Sequence, residues 1–248
     1  RGNRCLALFI HKSAFLMCPL NCVSTTTRTH SMKRNPLNTN QQIHNEPFFH
    51  GSPVMTDHGY LIANHLRRIH DCLYRSLERH SRICVMRCDL YVPGHVSAGV
   101  LVSNAIITKF FASLRAKIEH AQAQSRNGDH RVHDADMRFM WCREISGNGR
   151  VHYHVALVFN HAAYAFMGQF DLARRNMYTR IHEAWASAIG MYTDDMRGYI
   201  HIPDNPTYQI IRGDEESLRR ALYRVSYFAK LRSKEYNKGF HIFGCSNN

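Results

Sequence analysis

Apolar and polar residues alternate along residues 150–159, which read RVHYHVALVF. Successive side chains of a β-strand point to opposite faces, so Val151, Tyr153 and the apolar positions after them share one face. His152 and His154 then lie side by side on the other face. The pattern predicts a strand with one apolar face and two neighbouring imidazoles, which suit a metal ion but can equally face water.

A hairpin is predicted between this strand and the preceding segment FMWCREIS, through the loop Gly-Asn-Gly at residues 147–149. A three-residue loop whose last glycine is left-handed places Glu144 opposite His152 and Cys142 opposite His154. A two-residue Asn-Gly loop would shift the pairing by one residue and turn Glu144 away. We expect the three-residue loop, because the apolar residues of both strands then share one face.

Helical spacing of apolar residues predicts the helices of the chain. Residues 58–80 and 170–189 show this spacing, and residues 99–125 read as a third, long helix. Gly190 is expected to end the helix before it. A last helix is expected from Asp214, a good N-cap residue, to about residue 234.

The remaining periodic segments predict strands. Residues 82–93 alternate, with Arg87, Asp89 and Tyr91 on the polar face, and shorter strands are expected at 198–203 and 208–212. Antiparallel strands with helices laid on one face form an α+β domain with an antiparallel central sheet. This is the predicted fold class.

The last predicted helix carries a polar stripe. Tyr223, Tyr227, Lys230 and Lys234 stand at i, i+4, i+7 and i+11, where helical side chains share one side. Such a stripe is commonly a half-buried aromatic beside a solvated face. Its position after the paired histidines makes it a candidate for chemistry.

Charge points to a polyanionic partner. The chain of 248 residues has 32 Lys and Arg against 19 Asp and Glu, a net charge of +13. A balance this basic favours nucleic acid. The 8 cysteines form no CxxC pair, which indicates a reducing cytosol over a disulfide framework. No apolar run reaches the roughly 18 residues of a membrane span.

The beginning of the chain differs in composition from the rest. Residues 24–46 are rich in Thr, Asn and Gln, which is typical of a disordered arm. Met32 is a candidate start residue, which would make residues 1–31 an upstream extension. We therefore expect residues 1–45 to be a disordered or non-native extension and residues 46–248 to be the folded domain.

Two short motifs resemble those of a known superfamily. HYHVALVF resembles the HUH motif, and YFAK resembles the YxxK motif, of the HUH endonucleases, which include rolling-circle replication initiators, relaxases and related transposases. More narrowly, the chain is similar over about residues 50–247 to inovirus (filamentous phage) gene-II-type replication initiation proteins and the YagK/YfjJ-like prophage group. The similar segments are MRCDLYVP, WCREISGNGRVHYHVALVFN, HIPDNPTY and SYFAKLRSKEYNKGFHIFGCS.

The resemblance implies an HUH, palm-like sheet and a metal-dependent endonuclease. His152, His154 and Glu144 would hold Mg²⁺ or Mn²⁺, and Tyr227 would attack a DNA phosphodiester with Lys230 as its helper. The products would be a 5′-phosphotyrosine and a free 3′-hydroxyl that primes rolling-circle replication of a phage or prophage genome. A free phenol is largely protonated at neutral pH, so a tyrosine nucleophile needs activation or a nearby positive charge.

The same resemblance sets the expected partners and place of action. DNA, as a single strand or an origin hairpin, would be the substrate, with host helicase and polymerase as further partners. We expect the protein in the bacterial cytoplasm and not in a membrane. The basic side chains expected to contact DNA are Arg87, Arg143, Arg150, Arg224, Arg232 and Lys234.

Several alternatives stay open at this stage. Asp89 is a rival to Glu144 as third metal ligand, and Tyr223 would permit a mechanism with two catalytic tyrosines. Cys142, expected beside the histidines, makes Zn²⁺ conceivable, either as a catalytic ion or in a structural zinc module. The competing function is a catalytically silent, prophage-derived DNA-binding protein.

Overall fold

A computed structural model describes residues 33–96, 103–128, 131–236 and 238–246. Residues 1–32 of the predicted extension at residues 1–45 lie outside the described residues. Within the described part there are four helices: α1 (Ala63–Arg79), α2 (Ala105–Asn127), α3 (Met177–Ile189) and α4 (Glu215–Ser226). Short 3₁₀ turns follow at Thr193–Met196 and Tyr227–Ala229.

The strands, in chain order, are β1 (Arg34–Asn35), β2 (Asn38–His44), β3 (Phe48–Phe49), β4 (Ser52–Pro53), β5 (Leu61–Ile62), β6 (Arg82–Tyr91), β7 (Arg138–Ile145), β8 (Val151–Asn160), β9 (Ile200–His201), β10 (Thr207–Ile211) and β11 (Phe243–Cys245). Among the described strands, six form an antiparallel sheet in the order β10-β6-β8-β7-β11, with β9 also paired to β6. The predicted α+β class with an antiparallel central sheet is confirmed.

The helices cover both faces of this sheet, so the expectation of helices on one face was wrong. Tyr153 of β8 packs with Phe110 of α2 and Trp185 of α3 on one side. On the other side, Ala156 and Val158 of β8 belong to a second core that includes apolar residues of α1 and α4. β8 is therefore central and buried on both faces, and its two histidines point into a covered interior instead of water.

The hairpin has the predicted register. Glu144 pairs with His152 and Cys142 with His154. The backbone N–H of Ser146 donates to the carbonyl of Arg150 at 2.9 Å, which leaves a three-residue loop between them. Gly149 has φ of +78°, a left-handed conformation that glycine adopts without steric cost. The local turn chemistry therefore aims the carboxylate at the histidines.

Several element boundaries differ from the predictions. α1 begins at residue 63 and α3 at residue 177, each later than the spacing of apolar residues suggested. The last helix begins as expected, since the side chain of Asp214 accepts from the backbone N–H groups of Glu216 and Ser217. It ends at Ser226, however, and Lys230 is extended with φ of −57° and ψ of 141°. Of the residues of the polar stripe, only Tyr223 therefore lies within α4, and Tyr227 begins the 3₁₀ turn.

Residues 34–44 are folded, which corrects the prediction of a disordered or non-native segment up to residue 45. β1 and β2 form a hairpin, and β2 pairs with β5 just before α1. Ile43 is buried in this three-stranded sheet. β2 was not predicted, because its sequence is polar and a single buried isoleucine gives too little apolar periodicity to indicate a strand. In the described part of the chain, no helix combines the length and apolar character needed to cross a membrane.

Candidate metal and tyrosine site

Three side chains on the middle of the sheet form a candidate metal centre. Glu144 comes from β7, and His152 and His154 come from β8. All three are buried, and one potential ligand atom from each lies within 4.8 Å of the others. Such a set of one carboxylate and two imidazoles leaves coordination positions open for a substrate.

The imidazole nitrogens of this centre are available to a cation. Nε2 of His154 is buried and makes no hydrogen bond within the described residues. It lies 3.5 Å from Oε2 of Glu144, and Nε2 of His152 lies 4.0 Å from the same oxygen. A buried polar atom without a partner is unfavourable, so Nε2 of His154 fits a ligand of a bound divalent ion.

Asp89 supports the centre from the opposite flank. It pairs with His154 across β6 and β8, and its Oδ1 lies 2.7 Å from Nδ1 of His154. Burial raises the pKa of Asp89, but the hydrogen bond from His154 and the charge of Arg87 outweigh it and lower the pKa. With Nδ1 engaged by Asp89, Nε2 of His154 is the nitrogen left for a metal. The geometry favours Glu144 as the third ligand and Asp89 as the carboxylate that orients His154.

Two buried lysines neutralise Glu144. Nζ of Lys230 lies 2.8 Å from Oε2 of Glu144, and Nζ of Lys234 lies 3.3 Å from Oε1. Burial raises the pKa of Glu144, but the hydrogen bond from His154, the charge of Lys234 and the hydrogen bond from Lys230 outweigh it and hold the pKa at about 2. Burial lowers the pKa of Lys230, yet its contacts with Glu144 and Tyr227 raise it overall. The carboxylate is therefore ionised inside the protein.

Tyr227 is joined to this cluster through Lys230. The ammonium of Lys230 donates a hydrogen bond to the hydroxyl oxygen of Tyr227 while it also contacts Glu144. The ring of Tyr227 packs edge-on against that of His154, with centroids 5.1 Å apart. The candidate nucleophile, its cationic neighbour and the candidate metal ligands thus share one site.

Tyr223 occupies a different environment. It is exposed, and its hydroxyl donates to Oδ2 of Asp57 at 3.3 Å. The described contacts bring Tyr227, and not Tyr223, to Glu144 and the histidines. Of the two candidate tyrosines, only Tyr227 therefore lies with the candidate metal ligands.

Three of the side chains expected to contact DNA are buried, and the prediction is corrected for them. A guanidinium nitrogen of Arg87 lies 3.6 Å from Oδ1 of Asp89. On the opposite face of the sheet, a guanidinium nitrogen of Arg143 lies 3.4 Å from Oε2 of Glu235. The side chain of Lys234 is fully buried against Glu144. Each of these cations is paired with a carboxylate of the protein. Accessible positions are Arg150, Arg224 and Arg232.

Cys142 lies beside Glu144 but outside the candidate ligand set. Its Sγ donates to Oε1 of Glu144 at 3.6 Å. Burial raises the pKa of the Cys142 thiol to about 12. Because zinc binds the thiolate form, a protonated thiol next to a carboxylate gives little support to a zinc module here.

Two histidines near the site were missed from the sequence. The ring of His58 packs edge-on against Tyr227 at 5.1 Å, and Nδ1 of His201 lies 3.5 Å from Oδ2 of Asp89. His58 stands in a segment read as the start of a helix, and His201 in a short strand. His201 is the first residue of HIPDNPTY, so the resemblance of that segment is a sequence signal that could have indicated it. His58 belongs to no such segment, and only the tertiary structure reveals it.

Comparison with known proteins identifies the family of this chain. The model of the YagK/YfjJ C-terminal domain family matches residues 44–246. The chain belongs to this family. It is 30% identical over 198 residues to the uncharacterized protein YagK of Escherichia coli (strain K12), covering 76% of this chain and 95% of YagK. It is also 30% identical over 203 residues to the uncharacterized protein YfjJ of the same strain, covering 77% of this chain and 97% of YfjJ. No solved structure matches it.

Proposed function

We propose that this member of the YagK/YfjJ family is a metal-dependent DNA nicking and strand-transfer enzyme of the HUH type. It would cleave one DNA strand through a 5′-phosphotyrosine intermediate and so initiate rolling-circle replication of a phage or prophage genome. The proposal combines the HUH-like and YxxK-like motifs with the chain's net charge of +13. Its resemblance to inovirus gene-II-type initiators suggests the biological setting, with the single-stranded DNA or origin hairpin of a replicon as substrate and host helicase and polymerase as partners.

The observation that carries the proposal is the convergence of two motifs distant in sequence. Lys230 contacts both the hydroxyl of Tyr227 and the carboxylate of Glu144, so one ammonium bridges the candidate nucleophile and the candidate metal ligands. The edge-on packing of Tyr227 on His154 supports the same arrangement. A purely structural aromatic would not need a buried lysine aimed at its hydroxyl oxygen.

The chemistry assigns a role to each group. The hydroxyl oxygen of Tyr227 forms a bond to phosphorus while the bond between phosphorus and the 3′ oxygen breaks. The phenolic proton is lost, and the leaving 3′ oxygen gains a proton to become the free 3′-hydroxyl. Lys230, as a donor to the phenolic oxygen, stabilises the negative charge that develops there. A bound Mg²⁺ or Mn²⁺ would supply Lewis acidity to a nonbridging phosphate oxygen.

The phosphotyrosine retains the energy of the broken ester. Reversal by a 3′-hydroxyl restores a phosphodiester and frees Tyr227, so the strand can be rejoined without ATP. Glu144, His152 and His154 would hold the metal through both steps, and Asp89 would keep His154 in the orientation required.

The test is adduct formation on DNA. Single-stranded oligonucleotides that bear origin-like hairpins and a label at the 3′ end, which stays on the fragment joined to the tyrosine, are incubated with protein and Mn²⁺, and the products are separated on a denaturing gel. We expect a covalent protein–DNA band from the wild type and from Tyr223→Phe, and none from Tyr227→Phe or His154→Ala. Tyr223→Phe is the matched control, because it removes the same hydroxyl one helical turn away.

Two results would count against the proposal. An adduct that forms with Tyr227→Phe but not with Tyr223→Phe would show that Tyr223, and not Tyr227, is the nucleophile. DNA binding without any adduct would favour the catalytically silent DNA-binding alternative.

A further inference from the structure

A cleft of about 410 Å³ opens beside the candidate nucleophile. One wall comes from the turn between β1 and β2, including Leu37, and another from the segment before β5, including His58 and Tyr60. The third wall is the segment after the 3₁₀ turn Tyr227–Ala229, and it includes Arg232 and Lys234. The cleft therefore depends on residues 34–44, which are folded against the domain.

Two of the lining residues connect the cleft to the site. His58 packs on the ring of Tyr227, with centroids 5.1 Å apart, and Lys234 contacts Glu144. The walls are tied together by the backbone, because the N–H of Leu231 donates to the carbonyl of Tyr60 at 2.8 Å. A molecule in the cleft would lie next to the groups that perform the proposed reaction.

The lining combines exposed apolar surface with positive charge. Tyr60 is 45% exposed and Leu37 is 58% exposed. Arg232 is exposed, and Lys33, which lies next to the cleft but does not line it, has its Nζ 4.8 Å from the centre of the Tyr60 ring. Among the described residues that line the cleft, none carries a carboxylate. Aromatic surface for a base and cations for its phosphate are the features that bind single-stranded nucleic acids.

We propose that this cleft is a nucleotide subsite, which holds a nucleotide of single-stranded DNA next to the scissile phosphate. The base stacks against Tyr60, and a phosphate of the strand contacts Arg232. The inference rests on the proposed function and adds to it the residues that select and position the strand. Two larger clefts lie against α2 and α3, away from Tyr227, and lack this connection to the reacting groups.

Binding is measured without catalysis, so that the subsite is tested separately from nicking. Fluorescence anisotropy with a labelled oligonucleotide in EDTA gives the Kd, and 2-aminopurine placed near the nick position reports stacking by its quenching. We expect Tyr60→Ala to weaken binding about tenfold and to relieve the quenching, since base–aromatic stacking contributes on this order. Tyr60→Phe, which keeps the ring, should bind and quench like the wild type.

Arg232→Gln tests the phosphate contact. We expect weaker binding across all sequences and a salt dependence reduced by about one phosphate contact. Tyr192→Ala is the matched control for an exposed aromatic, because Tyr192 is 83% exposed and does not line the cleft. A thermal melt shows that each variant remains folded.

The outcomes separate the subsite from the proposed function. If Tyr60→Ala binds and quenches like the wild type, the subsite is overturned, even where the adduct with Tyr227 still forms. If wild-type binding depends on Tyr60 and Arg232 but no adduct appears in Mn²⁺, the subsite holds and the nicking function fails.

Discussion

Nδ1 of His154 lies 2.7 Å from Oδ1 of Asp89, and the two residues face each other across β6 and β8. The contact leaves the other ring nitrogen, Nε2, near the carboxylate of Glu144. A carboxylate that accepts from one imidazole nitrogen fixes the tautomer and directs the other nitrogen at a metal. Asp89 is thus a positioning residue for the candidate metal centre.

Asp89→Asn is expected to weaken Mn²⁺ binding by about 10- to 100-fold. The asparagine amide can donate to Nδ1, and this favours the tautomer whose proton sits on Nε2 and blocks that nitrogen as a ligand. Electron paramagnetic resonance of free Mn²⁺ during a titration gives the Kd directly. Asp171→Asn, which removes one carboxylate from an exposed ion pair with Arg174, is the control and should bind Mn²⁺ normally. An unchanged Kd in Asp89→Asn would show that Asp89 does not position His154 for metal binding.

Lys234 should oppose metal binding when no DNA is present. Its ammonium is buried 3.3 Å from Oε1 of Glu144 and repels an incoming cation. We expect Lys234→Met, which keeps an apolar chain of similar length, to tighten Mn²⁺ binding about tenfold, or about 1.4 kcal/mol. Titration calorimetry without DNA measures the change.

The control for this experiment is Lys109→Met on the exposed side of α2, which should leave the Kd unchanged. A DNA phosphate brings negative charge to the site, so the difference between wild type and Lys234→Met should shrink when an oligonucleotide is added. Weaker Mn²⁺ binding by Lys234→Met would show that Lys234 instead holds Glu144 in the orientation that a metal requires.

The parts of the site that follow from local rules were predictable from the sequence. The alternation of β8 places the two histidines on one face, and the three-residue loop sets Glu144 opposite His152. Both depend on neighbours in the chain and on strand periodicity. The contact of Lys230 with Tyr227 forms although α4 ends earlier than predicted, because the two residues are only three apart in the sequence.

The remaining features depend on contacts between distant segments. Arg143 is buried beside Glu235, a partner 92 residues along the chain that sequence spacing does not identify. Arg87 stands only two residues from Asp89, but the ring of Phe228 that packs on its guanidinium comes from a distant segment. Lys234 reaches Glu144 only because the chain leaves the helix after Ser226. Periodicity predicts which face a residue occupies, but not which element later covers that face.

Gly244 is a point of close packing between β11 and β7. It pairs with Trp141, and a Cβ at this position would clash with Nε1 of the indole. We expect Gly244→Ala to lower the free energy of unfolding by about 1–3 kcal/mol, because the buried ring must shift. Gly147→Ala is the matched control, since a Cβ there has no neighbouring atom within 4 Å. Equal melting temperatures for the two variants would mean that β11 can move away from Trp141 at little cost.

Asp136 joins the end of α1 to the start of β7. Its Oδ2 lies 2.9 Å from Nε of Arg79 and 2.9 Å from Nε2 of His80, and 3.8 Å from Nε of Arg138. Burial raises the pKa of Asp136, but the hydrogen bond from His80 and the two arginine charges outweigh it and lower the pKa from its ordinary value of 3.8. A carboxyl group that is more acidic in the folded state stabilises the fold when it is ionised.

The sign of the pH dependence follows from this direction. The stabilisation by Asp136 is fully present above its unfolded pKa, near 3.8, and is lost as the pH falls through the lower folded value. We expect Asp136→Asn to cost about 1–3 kcal/mol at pH 7, the range for hydrogen bonds to charged groups. Asparagine tolerates the φ of +40° found there, so backbone strain does not confuse the comparison.

Urea unfolding of the wild type and Asp136→Asn from pH 7 down to pH 3 measures this difference. It should stay constant down to about pH 5 and then narrow, because protonation removes the charge from wild-type Asp136 as well. Glu183→Gln, which removes one carboxylate from a surface pair with Lys117, is the control and should change stability by less than about 1 kcal/mol. A difference between the wild type and Asp136→Asn that stays constant through pH 3 would show that the carboxylate charge contributes nothing at this junction.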